Sequence, residues 1–197
     1  RLIVPIGEWV LREACREAIN WPSNVKVAVN VSSEQLLEQN FIATVVGALS
    51  STGLPAQRLE IEVTESIFVR DSSAARGVLE QIMALGCGIA LDDFGTGYSS
   101  LAYIRNLRFS TIKVDRSFVQ GAAADNPESL AIIRAVVAMA ESLEMSTTAE
   151  GVETERELAI IRGLGCRKIQ GYYFGRPMPA TDARGLFNRP QLQRAGS

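Results

Sequence analysis

Histidine does not occur in this 197-residue chain, and cysteine, lysine and aspartate are scarce at three, three and six copies. Without histidine no Ser-His-Asp or Cys-His nucleophile can be assembled, and no imidazole can act as general base or metal ligand. Cys15, Cys87 and Cys166 are odd in number and have no CxxC spacing. That pattern fits buried packing residues in a reduced, cytoplasmic setting better than a disulfide framework or a zinc site. No apolar run approaches the ~18 residues of a membrane span, and the start carries no secretory leader pattern. The chain opens at Arg1 directly in helical apolar spacing, as expected of a piece cut from something longer. Lysine and arginine total 20 against 22 acids, so no excess positive field favours DNA or an anionic membrane. Any phosphate chemistry must be local.

What is present is a 47% hydrophobic chain, long enough to bury one core and read as one domain over 1–197. Six short β-rich runs recur: VKVAVNV at 25–31, RLEIEV at 58–63, GIALDD at 88–93, STIKVD at 110–115, MSTTAE at 145–150 and RKIQGYY at 167–173. Helical periodicity lies between them, over 33–50, 72–84, 127–143 and 153–163, with Ser32 or Ser33, Asp71 and Thr154 as capping residues. Strand alternating with helix predicts a mostly parallel sheet.

Two α/β architectures accept that alternation, an open doubly wound sheet and a closed (β/α) barrel. An open sheet gathers its ligand groups near one switch point, whereas a barrel brings every strand end to one mouth. Asn30, Glu62, Asp92 with Asp93, Lys113 with Asp115, Glu150 and Gln170 fall at the ends of six different runs. They predict a modified, TIM-like barrel. Six strands are two short of eight, so the first strand or strands are expected to lie outside this chain. Solvated loops could account for any one polar strand end, yet three of the six aspartates and one of the three lysines belong to this set.

Converging carboxylates repel, by about 4 kcal/mol for two charges ~4 Å apart at an effective dielectric near 20. Either some bind protons or a cation joins them. Oxygen donors from Asp, Glu and Asn select Mg²⁺ or Mn²⁺, and adjacent Asp92 and Asp93 could serve two ions, one of them bridging. Lys113 could orient a water or neutralise a phosphate; a Schiff-base lysine, as in aldolases, is the competing reading. The run GTGYSS, with Gly95 and Gly97, is no dinucleotide loop. A third glycine is replaced by Ser100, and Asp92 and Asp93 sit where a pyrophosphate needs positive potential. The glycines instead predict a movable loop, with Ser99 or Ser100 capping a following helix.

Six motifs, NVSSEQL at 30–36, EVTES at 62–66, LDDFGTGYSSL at 91–101, IKVDRSFV at 112–119, AEGVET at 149–154 and QGYYFGRPMP at 170–179, resemble the EAL domain in order, spacing and identity. The resemblance covers essentially the whole chain. It implies a modified TIM-like barrel that hydrolyses cyclic di-GMP to linear pGpG with two Mg²⁺ or Mn²⁺ ions. Carried over by position, it implies Asn30, Glu62 and Asp92 at the first metal and Asp92, Asp93 and Glu150 at the second. It implies Lys113 as the residue that positions the water, with Asp115 and Gln170 as further polar groups of the site. It implies Glu65 as the anchor of the loop from Asp93 through Ser100, and with that loop a homodimer. Sensory or diguanylate-cyclase-like domains are expected upstream. The Glu-Ala-Leu strand, whose glutamate the resemblance implies as a direct metal ligand, and a nearby substrate-binding arginine would precede residue 2 and are not in the chain; the parent protein is expected to be catalytically competent and this piece weak or inactive, with a receptor that binds cyclic di-GMP without cutting it as the alternative expectation.

Overall fold

A computed structural model describes residues 2–70, 72–95, 104 and 107–187. Helix α1 (Ile3–Ala18) leads into strand β1 (Val27–Asn30), followed by α2 (Ser33–Leu36), α3 (Phe41–Thr52) and β2 (Leu59–Thr64). Then come α4 (Ile67–Arg70), α5 (Ser72–Ala84), β3 (Gly88–Phe94), β4 (Thr111–Val114), α6 (Arg116–Ala123) and α7 (Pro127–Ser142). The order ends with β5 (Ser146–Ala149), α8 (Glu155–Gly163), β6 (Lys168–Ile169) and α9 (Ala180–Leu186). All six strands pair in parallel, in sequence order. They curl into part of a barrel with helices on the outside, the expected modified TIM-like α/β architecture.

Every predicted run contains a strand. The stretch 33–50 differs, because it forms two helices instead of one. Ser32 Oγ accepts the Gln35 N–H while Gln35 Oε1 accepts the Ser32 N–H, a reciprocal cap that starts α2. The chain leaves helical geometry over 37–40 before α3 restarts after Asn40. Thr154 and Glu157 cap α8 in the same reciprocal way. Asp71, Ser99 and Ser100 lie outside the described residues.

Alternation along each strand divides the sheet into two chemically distinct faces. Val27, Val29, Leu59, Ile61, Val63, Ile89, Leu91, Ile112 and Val114 are buried in the core beneath the helices. Residues of the other parity are in register with one another: Asn30 with Glu62, Thr64 with Asp92, Lys113 with Thr148. That inner face is polar, unlike the near-continuous apolar strands usual in parallel sheets. At its lower end Glu60 is buried and accepts hydrogen bonds from Ser110 Oγ (2.7 Å) and Thr111 Oγ1 (3.1 Å). Cys15, Cys87 and Cys166 are free and buried.

Candidate active site

Residues 30, 62, 92, 113, 150 and 170 share the inner parity and stand at the C-terminal ends of β1 to β6. Lys113 is the buried hub, 3% exposed. Its Nζ lies 2.6 Å from Glu150 Oε1, 2.7 Å from Glu62 Oε2 and 3.2 Å from Asp92 Oδ2. Burial on its own would lower the lysine pKa. Hydrogen bonds to Glu150 and Glu62 and the charges of Glu62 and Asp92 outweigh it and hold the ammonium well above its ordinary value. A Schiff-base lysine needs a free amine near neutral pH, so this environment opposes that reading.

Asp92 and Asp93 are neighbours on one strand and should face opposite sides of the sheet. A bulge prevents this: Leu91 pairs with Ile112 and Phe94 with Val114, three steps on β3 against two on β4. Asp93 takes φ +54°, a left-handed conformation that aspartate tolerates better than most residues, and its N–H donates to Asp92 Oδ1 at 3.0 Å. As a result, carboxylate oxygens of Asp92, Asp93 and Glu150 all lie within 4.8 Å of one another. Burial and the charges of Asp92 and Asp115 raise the Asp93 pKa, against the opposing pull of Lys113. Burial raises that of Glu150 as well; Lys113 pulls it down, and Asp92 and Glu62 push it up.

The remaining expected positions are placed as follows. Asn30 is exposed at the mouth, in register with Glu62. Asp115 ends β4 and caps α6, its Oδ1 accepting the Ser117 N–H at 2.9 Å. Gln170 is exposed past β6, tied by its backbone to Ala149 and Val152. Glu65, just past β2, is buried, and its Oε1 accepts the Gly95 N–H at 3.3 Å. Gly95 has φ +92°, and a Cβ there would stand 3.1 Å from the Phe118 ring, so glycine is required at the residue that follows β3. Gly97 lies outside the described residues.

Two mouth residues escape a reading of strand ends. Arg116, the first residue of α6, pairs with Glu153 at 2.9 Å, and its aliphatic stem lies over Gly151, where a Cβ would meet it at 2.4 Å. Gly151 itself adopts φ +67°. The signal available in sequence is the arginine that follows IKVD and the EGVE that follows β5, but only the fold joins them.

Three carboxylates, those of Glu62, Asp92 and Glu150, therefore share one ammonium, with that of Asp93 beside two of them, and the residual negative charge suits a divalent cation. The family model of the EAL domain matches residues 1–177. The bifunctional diguanylate cyclase/cyclic di-GMP phosphodiesterase MucR of Pseudomonas aeruginosa is 45% identical over 183 residues, 91% of this chain and 27% of that protein. The cyclic di-GMP phosphodiesterase NbdA of the same organism is 40% identical over 182 residues, 90% of this chain and 23% of that protein. The chain thus spans about a quarter of the length of these relatives. The solved MucR phosphodiesterase in complex with c-di-GMP superposes with a TM-score of 0.87 at 43% identity, covering 92% of this chain and 75% of that one. The EAL domain of Mycobacterium smegmatis DcpA gives 0.89 at 37% identity, covering 95% and 86%.

Proposed function

The chain belongs to the EAL domain family, and from that premise we propose that it hydrolyses one phosphodiester bond of cyclic di-GMP to give linear pGpG. The observation that carries this reading is the gathering of Glu62, Asp92 and Glu150 around Lys113, with Asp93 beside Asp92 and Glu150, at one mouth. The donor set fits hard divalent ions: all oxygen, no nitrogen or sulfur, three carboxylate oxygens within 4.8 Å, and excess negative charge. Asn30, Glu62 and Asp92 would hold one Mg²⁺ or Mn²⁺, and Asp92, Asp93 and Glu150 a second. Bound there, the ions would supply Lewis-acid polarisation of the phosphate.

The protein's own groups divide the remaining work. Hydrolysis places water oxygen on phosphorus, breaks the P–O bond to the 3′ oxygen, and leaves one proton on that oxygen and another to be taken up. Lys113, held protonated by its three partners, donates hydrogen bonds and orients the water without serving as a base. Glu150 holds that ammonium from one side at 2.6 Å, and the second proton passes to solvent. Asp115 fixes the start of α6 beside this cluster, and Gln170 faces the substrate from the far rim. Glu65 fixes the loop that begins at Gly95. We extend the same reading to a homodimer coupled through that loop and to regulatory domains upstream.

Incubating the full-length protein with cyclic di-GMP and Mg²⁺ or Mn²⁺ should release pGpG, with chelation stopping turnover and added ion restoring it. Turnover that is absent from the parent and identical in Asp92→Asn would sink the enzymatic reading. Tight binding without cleavage would select the receptor alternative.

A further inference from the structure

Beside the acidic cluster lies a second cleft of about 260 Å³, with Glu150 in the wall the two share. Arg116 and Glu153 form one side, Gln170 and Tyr172 another, and Arg116 is the one cation among the described residues that line it. We propose that Arg116 binds the uncleaved phosphate of the substrate and that Glu153 holds it in reserve. This rests on the phosphodiesterase reading above. A cyclic dinucleotide has two phosphodiesters, and once the cleaved one is at the carboxylate cluster the other must be neutralised nearby.

The geometry suits a guanidinium that changes partners. Arg116 Nη2 meets Glu153 Oε1 at 2.9 Å, but the two side chains are 48% and 34% exposed. A pair so open to solvent is held weakly and is a small barrier to displacement by a phosphate. Meanwhile Gln120, in the amide orientation that satisfies both groups, accepts from Arg116 Nη2 at 3.0 Å and Nε at 2.9 Å. The stem is seated on Gly151. Thus the plane of the fork is set before any ligand arrives, and a planar fork suits two phosphate oxygens.

Steady-state hydrolysis of cyclic di-GMP, with affinity measured in Ca²⁺, tests the assignment in Arg116→Met, Arg116→Lys, Glu153→Gln and the double variant. Arg116→Met should raise KM about tenfold or more while kcat changes little, as for one lost charge-assisted contact. Arg116→Lys should fall between it and the parent. Glu153→Gln should lower KM, because the anion no longer competes with a carboxylate. The double variant should match Arg116→Met, since Glu153 acts only through Arg116. If instead Arg116→Met and Glu153→Gln both raise KM, or the loss falls on kcat, the pair is a structural clasp and the assignment is wrong. Should Glu153→Gln tighten binding equally without Arg116, general charge is the cause and the assignment fails too. A parent that neither binds nor cleaves overturns the functional reading first, and this one with it.

Discussion

The Lys113 ammonium and the Glu150 carboxylate meet at 2.6 Å, from adjacent strands β4 and β5, deep in the barrel mouth. Glu62 and Asp92 share the same ammonium. Removing the lysine leaves three buried or half-buried carboxylates without their cation, and breaking one side of a buried pair costs about 3–5 kcal/mol. Lys113→Met is therefore expected to lower the melting temperature sharply in chelator and to recover much of the loss in Mn²⁺. Scanning calorimetry with and without ion checks this; an ion-independent melting temperature would remove Lys113 as the counter-charge.

Asp93 offers a separate test, because its backbone and its carboxylate can be varied independently. Asparagine tolerates φ +54° but lacks the charge, whereas valine lacks the charge and is strained there, by roughly 1–2 kcal/mol. Asp93→Asn should melt close to the parent and bind Mn²⁺ more weakly, while Asp93→Val should lose both. Equal melting temperatures for the two variants would mean that the bulge relaxes at no cost.

The strands were readable because their period of two is written directly in the residues, and it carries residues 30, 62, 92, 113, 150 and 170 to one face without any knowledge of tertiary contacts. The bulge was not readable. Two adjacent acids announce that both are wanted at one place, but nothing in LDDF says that an extra residue against β4 brings them there. For the same reason the break at 37–40 is not legible, since its apolar spacing continues through Leu37 and only the reciprocal cap closes α2 early. Arg116 and Glu153 are 37 positions apart and meet because β4 and β5 are neighbours. Such pairings belong to topology rather than to local pattern.

Glu65 should influence the reaction without touching substrate. Its carboxylate holds the Gly95 amide just past the end of β3, one residue beyond Phe94 and two beyond Asp93. Glu65→Ala removes that acceptor, and displacement of the aspartates by an ångström would cost on the order of 10²-fold in turnover. Glu65→Gln keeps an acceptor oxygen and should retain most of the activity. Exchange of the Gly95 amide, read by hydrogen–deuterium exchange, should quicken in the alanine variant alone; unchanged exchange would leave Glu65 without the anchoring role.

Glu157 provides a pH dependence outside the carboxylate cluster. Burial would raise its pKa, but hydrogen bonds from the Glu153 N–H (2.6 Å) and Thr154 N–H (2.9 Å), the Thr154 side chain and the charge of Arg116 hold it below the ordinary value. A carboxyl depressed in the folded state binds protons more readily when unfolded, so its contribution is present above the unfolded pKa, about 4.3, and fades as pH falls through the folded value. Glu157→Ala should therefore cost about 1 kcal/mol at neutral pH, as expected for half of a reciprocal cap. The gap between parent and variant should narrow below about pH 4. Urea titrations at a series of pH values measure it directly; a gap that widens toward acid would mean that the charged form of Glu157 is not the one the fold prefers.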